Sequence, residues 1–116
     1  MRFRYQPTMI SKIIAAVLIS AMPVSLGTFE ITAYAEDEIT ATGTVPREYV
    51  TVAVDPDVIP YGSELYIKDL ELIVKAEDCG GAVQGNVIDL FVGGTEEQTA
   101  DFGRQEHEVL LLRKGE

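Results

Sequence analysis

Short runs of β-branched and aromatic residues, separated by turn residues, fill most of the chain after position 28. Such runs favour strands, and Gly, Pro and Asp between them favour turns. Six runs fit this pattern, at residues 29–35, 49–54, 64–67, 71–76, 86–92 and 108–112. Short strands at close spacing predict a small β-barrel or a β-sandwich.

A helical pattern occurs in one place, residues 95–102. Thr95 can cap this helix, and Gln98 follows at the spacing of a capping box. Gly103 ends it, because glycine readily adopts the backbone conformation that terminates a helix. The chain is therefore predicted to be mainly β, with one short helix.

The N-terminal residues 1–27 follow a different pattern. Arg2, Arg4 and Lys12 precede an uncharged and strongly apolar run, as in a secretory signal. The run is short for a membrane span, and Pro23 interrupts it. We predict a signal peptide or an N-terminal membrane anchor at 1–27, with a buried N-terminal helix as the alternative. The protein is then exported, extracellular or cell-wall associated, and contacts the membrane only through this segment.

Charge and cysteine content narrow the function of the remaining domain, residues 28–116. It holds all 19 acidic residues of the chain. Such a negative surface repels phosphate backbones, which argues against nucleic acid as a partner. Cys79 is the only cysteine, so an internal disulfide is impossible. One cysteine and one histidine cannot form a four-ligand zinc site, and we expect no metal and no cofactor.

Three aspartates are candidates for chemistry. Asp55 precedes a proline, Asp78 precedes Cys79 and two glycines, and Asp89 lies inside an apolar run. A carboxylate between bulky apolar residues has to be desolvated, hydrogen-bonded or functional. Aspartates at strand ends also commonly cap turns. Spacing alone therefore leaves both a catalytic role and turn capping open.

Three longer runs carry a resemblance to a known family: AVDPDVIPYGSELYI (53–67), AEDCGGAVQGNVIDLF (76–91) and FGRQEHEVLLL (102–112). They closely resemble the 3D domain, which is named for three aspartates. That domain is similar to the catalytic part of the membrane-bound lytic murein transglycosylase A family. Residues 29–34 and 39–44 resemble its two opening segments. The resemblance implies a six-stranded double-psi β-barrel at 28–116 that acts on peptidoglycan glycan strands.

The resemblance also implies a reaction. Lytic transglycosylases cut the β-1,4 bond between N-acetylmuramic acid and N-acetylglucosamine without water and leave a 1,6-anhydro sugar. One carboxyl group protonates the leaving oxygen and then accepts the proton of the C6 hydroxyl. Matched to this sequence, that group is Asp78, with Asp89 and Asp55 as companion carboxylates. Close like charges would raise the pKa of one carboxyl group and keep it protonated.

Substrate contacts follow from the same resemblance. It implies that Tyr34, Thr40 and Thr42 face the glycan. Gly80 and Gly81 are also predicted to bind the substrate, because glycines allow a tight backbone beside Asp78. For the tyrosine and the threonines, ordinary strand packing is the alternative. For the two glycines, the alternative is turn geometry alone.

Two departures from the family pattern keep other functions open. Relatives carry a longer loop where this chain has only residues 35–38, and they carry a lysine and an arginine where it has Gln84 and Val87. Fewer cations beside three carboxylates should weaken substrate binding. The three aspartates favour an enzyme, whereas these departures favour a non-catalytic cell-wall-binding barrel module. A peptidoglycan hydrolase that uses water is a third hypothesis.

Overall fold

The computed structural model describes residues 23–116, which form six strands and one α-helix. The elements are β1 (Val24–Tyr34), β2 (Thr51–Ala53), β3 (Glu64–Ile67), β4 (Leu72–Asp78), β5 (Val87–Phe91), α1 (Glu96–Phe102) and β6 (Gln105–Arg113), with a 3₁₀ turn at Lys68–Leu70. Each predicted strand is present, although β2 is shorter than its run and β1 begins earlier. The predicted signal or anchor falls mostly on residues 1–22, outside the described residues.

The six strands close into a barrel in the order β1-β5-β2-β4-β3-β6. The pairs β1–β5 and β2–β4 are parallel, and the other four pairs are antiparallel. Closure leaves no unpaired sheet edge, which suits a domain too small to cover its edges with helices. The implied mainly β fold, a six-stranded double-psi barrel with one short helix, is confirmed. A β-sandwich is excluded.

The barrel interior is filled by apolar side chains that alternate along the strands. Phe29 and Ile31 of β1 are fully buried, and so are Ile88 and Leu90 of β5. Successive side chains of a strand point to opposite faces. The residues between these core positions, Thr32 and Asp89 among them, therefore point away from the barrel interior. The candidate chemistry thus lies on the outer face of the sheet.

The helix α1 has the ends that the sequence predicts. The Thr95 hydroxyl accepts a hydrogen bond from the Gln98 backbone, and the Gln98 side chain accepts one from the Thr95 backbone, which completes the capping box. Gly103 forms the C-terminal cap with a positive φ of 67°. Within residues 23–116, no helix is long and apolar enough to cross a membrane.

Candidate active site

An open cavity of about 310 Å³ lies on the outer face of strands β1, β5, β2 and β4. Four of its lining residues are acidic: Glu36, Asp37, Asp78 and Asp89. The others are Tyr34, Ala53, Cys79, Gly80 and Val83. Among residues 23–116, which the structure describes, no lysine or arginine lines the cavity. Any charged group that enters the cavity therefore meets carboxyl groups.

Strand register brings Asp78 and Asp89 to the same cavity. Ala53 of β2 pairs with Asp78 of β4 on one side and with Asp89 of β5 on the other. Neighbouring strands lie about 4.8 Å apart, so the two aspartates are separated by about 10 Å across the sheet. Because alanine is small, the space between the two carboxyl groups is left open to a ligand.

Asp78 is surrounded by hydrogen-bond donors. Its Oδ1 accepts from the backbone N–H of Ala41 at 2.9 Å and of Cys79 at 3.0 Å, and its Oδ2 accepts from the Tyr34 hydroxyl at 3.1 Å. Burial by itself would raise the pKa of Asp78, but these bonds and one from Asp37 outweigh it and lower the pKa. Asp78 is therefore an ionised carboxylate at neutral pH.

Asp89 has the opposite environment. Burial raises the pKa of its carboxyl group, the hydrogen bond from Thr32 opposes that shift, and the negative charge of Asp78 adds to it. The Thr32 hydroxyl donates to Asp89 Oδ1 at 2.8 Å, from the paired position on β1. Of the two aspartates, Asp89 is the one that the structure favours in its protonated form.

Tyr34 links the two aspartate strands. It is the last residue of β1, pairs with Phe91 of β5, and packs edge-to-face on that ring with 5.3 Å between the ring centroids. Burial, the charge of Asp78 and the hydrogen bond to it all raise the pKa of the Tyr34 hydroxyl. The hydroxyl therefore stays neutral and remains a donor to Asp78.

The loop at residues 35–38 supplies a carboxyl group that sequence reasoning missed. Asp37 lines the cavity together with Asp78. The interaction with the Asp78 carboxyl group, together with burial, raises the pKa of Asp37. The only available signal was its position in a short loop directly after Tyr34. The loop that departs from the family pattern is thus part of the cavity wall.

Asp55 is absent from the cavity lining. Its carboxylate accepts hydrogen bonds from the backbone N–H of Gly85 at 2.8 Å and of Asp57 at 3.0 Å, and these bonds lower its pKa. Asp55 therefore joins the turn after β2 to the loop before β5. This is the turn-capping arrangement that spacing alone left open.

Only some of the predicted substrate-binding residues line the cavity. Tyr34 and Gly80 line the cavity, whereas Thr40, Thr42 and Gly81 do not. The buried Thr40 hydroxyl is 2.7 Å from that of Thr44, inside its own loop. The Thr42 hydroxyl donates to the backbone carbonyl of Glu77 at 2.8 Å. In this structure Thr40 closes its own loop and Thr42 fixes that loop against β4. Their contact with a glycan stays a prediction.

The positions that lack the family cations are close to lining residues along the chain: Gln84 follows Val83, and Val87 precedes Asp89 by two residues. Gln84 is exposed and donates to the Gly81 carbonyl at 3.1 Å, and Val87 begins β5 opposite Glu30. Neither belongs to the cavity lining. In the part of the chain that the structure describes, no group of three His, Cys, Asp or Glu side chains could hold a metal ion.

Comparison with known proteins places this geometry in a family. A family model described as the 3D domain matches residues 50–113, more than half of the chain. The cell wall-binding protein YocH of Bacillus subtilis (strain 168) is 51% identical over 41 residues, which is 35% of this chain and 14% of that protein.

Similar folds occur among solved structures. The lytic transglycosylase LtgG of Burkholderia pseudomallei aligns with a TM-score of 0.57 and 26% identity over 72% of this chain and 28% of its own. MltA from E. coli aligns with a TM-score of 0.55 and 22% identity over 71% of this chain and 29% of its own. MltA with bound chitohexaose aligns with a TM-score of 0.55 and 22% identity over 67% of this chain and 28% of its own. The chain thus spans less than a third of the length of these proteins.

Proposed function

Because the chain belongs to the 3D domain family, we propose that it is a peptidoglycan-cleaving enzyme of the lytic transglycosylase type. It cuts the β-1,4 bond between N-acetylmuramic acid and N-acetylglucosamine to a 1,6-anhydro product in cell-wall turnover. The observation that carries this proposal is the pair of unlike carboxyl groups in one cavity, Asp89 favoured as the acid and Asp78 as the carboxylate. The sugar bound to one structure of similar fold supports the substrate class.

The proposed reaction uses Asp89 as acid and then as base. Its proton passes to the glycosidic oxygen as the bond from that oxygen to C1 breaks. The Asp78 carboxylate stabilises the positive charge that develops at C1. The C6 oxygen then closes on C1 and gives its proton to Asp89, which returns to its starting form without consuming water.

This division of roles differs from the one that the resemblance implies, in which Asp78 transfers the protons. Asp78 receives hydrogen bonds that favour its charged form, and a group held ionised is a poor proton donor. Asp89 is desolvated and accepts one hydrogen bond from a side chain. Asp55 has no proposed part in proton transfer, because its carboxylate is bonded to two backbone N–H groups away from the cavity.

The proposed partner is the peptidoglycan glycan strand, reached after export. A relative named as a cell wall-binding protein supports a location outside the cell or in the cell wall. Contact with the membrane is proposed only for the N-terminal segment. The acidic surface argues against nucleic acid.

Digestion of purified peptidoglycan with the purified protein tests the proposal, with the released fragments identified by mass. A lytic transglycosylase leaves 1,6-anhydromuramic ends, whereas a water-using hydrolase leaves reducing ends. Asp89→Asn serves as the control, since it keeps the shape of the side chain but cannot supply the proton. Reducing ends would contradict the proposed reaction and support the hydrolase.

A non-catalytic cell-wall-binding module is the second candidate. Two observations favour it: the relative named as a cell wall-binding protein, and a cavity that no lysine or arginine within residues 23–116 lines. Such a module would sediment with insoluble peptidoglycan and release no fragments. Its binding would also survive Asp89→Asn.

A further inference from the structure

The turn that begins at Thr40, between β1 and β2, is closed by its own hydrogen bonds. The N–H of Gly43 donates to the Thr40 carbonyl at 2.9 Å, and the N–H of Thr40 donates to the Thr44 carbonyl at 2.9 Å. Thr40 is buried, and its hydroxyl accepts from the Thr44 N–H at 3.1 Å. Ala41 and Thr42 are thus the two central residues of a β-turn, and their N–H groups are not used inside it.

Both central residues donate hydrogen bonds to the end of β4. The N–H of Ala41 donates to Asp78 Oδ1 at 2.9 Å. The N–H of Thr42 donates to the Glu77 carbonyl at 3.2 Å, and the Thr42 hydroxyl donates to the same oxygen at 2.8 Å. Because a single planar peptide joins Ala41 to Thr42, the contacts that fix Thr42 also fix the N–H that reaches Asp78.

Glu77, which accepts the two bonds from Thr42, is itself held in place. The ladder between β2 and β4 shifts register at this point, because Glu77 is an extra residue between two paired positions of β4. Its side chain is buried, and its Oε2 accepts from the fully buried Thr51 hydroxyl at 2.8 Å. The position to which Thr42 is attached is therefore set by the barrel and not by the turn.

We propose that Thr42 is a positioning residue of the candidate active site, whose hydroxyl, bonded to the Glu77 carbonyl, holds the Ala41 N–H on Asp78 and so orients that carboxylate and stabilises its charge. The consequence for cleavage rests on the proposed function, whereas the effect on Asp78 does not. This role differs from the glycan contact that the resemblance implies. A threonine hydroxyl has a single proton, and here that proton is used on Glu77.

The charge of Asp78 responds to the bond from Ala41, because a backbone N–H bonded to a carboxylate favours its ionised form. Burial raises the pKa of Asp78, and the bond from Ala41 is one of those that lower it. The titratable groups that share the cavity with Asp78 are Tyr34 on β1, Glu36 and Asp37 on the loop after β1, Asp89 on β5, and Cys79. Outside the lining, Glu77 is its chain neighbour and Tyr61 lies within reach of its charge. A change at Thr42 removes none of these groups.

The effect on Asp78 can be tested in the full chain without any substrate. Thr42→Val removes the hydroxyl and keeps the shape of the side chain, whereas Thr42→Ser keeps the hydroxyl. With the aspartate carboxyl carbons labelled with ¹³C for NMR, Asp78 should titrate about 0.4–1 pH unit higher in Thr42→Val than in the wild-type protein, because one hydrogen bond is weakened. In Thr42→Ser it should titrate at the wild-type value. Asp78→Asn identifies the signal, and circular dichroism checks that each variant is folded.

Thr99→Val is the matched control. The Thr99 hydroxyl also donates to a backbone carbonyl, that of Glu96 at 2.7 Å, but it does so in α1 and outside the cavity lining. This variant should leave the titration of Asp78 unchanged. A titration that is unchanged in Thr42→Val, or shifted as much in Thr99→Val, would overturn the proposal. In the wild-type protein the Ala41 amide signal should follow the titration of Asp78, and an Ala41 signal that does not follow it would overturn the proposal without any variant.

Cleavage of soluble glycan strands adds a second readout. Thr42→Val should lower kcat by about 2–10-fold with little change in KM, and Thr42→Ser should restore kcat. A raised KM with an unchanged kcat would overturn the positioning role and favour the glycan contact. An unchanged kcat and KM, in a variant whose Asp78 titration has shifted, would show that the turn has no part in cleavage. Absence of cleavage by the wild-type protein would contradict the proposed function, and the NMR titration would still decide the effect on Asp78.

Discussion

Two aspartates in one cavity have opposite environments, and the difference arises from single contacts. Asp78 accepts hydrogen bonds from two backbone N–H groups and from one tyrosine hydroxyl, and these bonds favour its ionised form. Asp89 is desolvated and accepts one hydrogen bond, from a threonine hydroxyl. Acid and base assignments follow from environments that push two pKa values apart.

Replacing each aspartate by asparagine should therefore change stability in opposite directions. An aspartate in an unfolded chain has a pKa of about 3.9. The pKa of Asp89 is raised in the folded state, so its stabilising contribution is lost as the pH rises through that value. Asp89→Asn should raise the melting temperature at pH 7.

The pKa of Asp78 is lowered on folding, so its contribution to stability is present above about pH 4 and is lost as the pH falls further. Asp78→Asn should lower the free energy of unfolding at pH 7 by about 1–3 kcal/mol.

Cleavage should fall in both variants, by on the order of 10²-fold or more in Asp89→Asn. Asp55→Asn is the control for the third family aspartate, and it should retain cleavage per folded molecule. Denaturant unfolding at pH 5 and pH 7 measures the change in stability. Peptidoglycan digestion at the same pH values measures the change in cleavage rate. An equal loss of cleavage in Asp55→Asn would show that Asp55 takes part in the reaction.

Ala53 offers a test of the space between the carboxyl groups. It pairs with both Asp78 and Asp89, lines the cavity and is 3% exposed. Ala53→Val suits a strand and fills that space without changing either carboxyl group. We expect weaker glycan binding and slower cleavage, with the fold retained. A digest rate equal to that of the wild-type protein would mean that the substrate does not pass between the two aspartates.

At the scale of elements, strand β1 contributes residues to both the core and the candidate site. Its inward residues Phe29 and Ile31 are fully buried. Its outward residues Thr32 and Tyr34 donate hydrogen bonds to the two cavity aspartates. It pairs with β5 on one side and with β6 on the other. The strand begins at Val24, before position 28, so cleavage of a leader after Gly27 would shorten it.

Truncation measures how much of the fold depends on β1. A chain of residues 36–116 lacks the whole strand, which opens the barrel and exposes the core. Losing Phe29 and Ile31 alone removes about 3–6 kcal/mol, a large share of the stability of a small domain. We expect 23–116 to melt cooperatively, 28–116 to melt at a somewhat lower temperature, and 36–116 to be unfolded or aggregated. Equal melting of 23–116 and 36–116 would show that β1 is dispensable.

At the scale of the whole molecule, negative charge dominates. All 19 acidic residues lie at or after Glu30, and four of them line the cavity. No lysine or arginine of the described part of the chain lies in that lining. A field of one sign lowers the local concentration of like-charged ligands and raises that of cations and neutral groups. The anionic groups of peptidoglycan should therefore bind weakly at low ionic strength.

Restoring the family cations tests that expectation. Gln84→Lys with Val87→Arg places two positive charges next to the lining residue Val83 and two residues before Asp89, and we predict stronger glycan binding or faster turnover. The gain should shrink at high salt, because exposed charges are screened beyond about 10 Å at 0.1 M ionic strength. A matched variant, Gln84→Met with Val87→Leu, keeps much of the bulk without charge. If the two double variants show the same glycan binding and turnover at low salt, these positions do not contact the substrate.

The sequence by itself determined the elements of this protein, because strands, turns and caps depend on residues that are close along the chain. The strand pattern left a barrel and a sandwich open, and the family resemblance indicated the barrel. The runs at 64–67 and 95–102, and the capping box of Thr95 and Gln98, needed no tertiary information. Once the family was recognised, it also supplied Asp78 and Asp89. The tertiary structure alone decided which carboxyl groups share the cavity. That choice depends on the register between distant strands and on loop contacts, so it excluded Asp55, brought in Asp37 and gave Asp78 and Asp89 unlike surroundings.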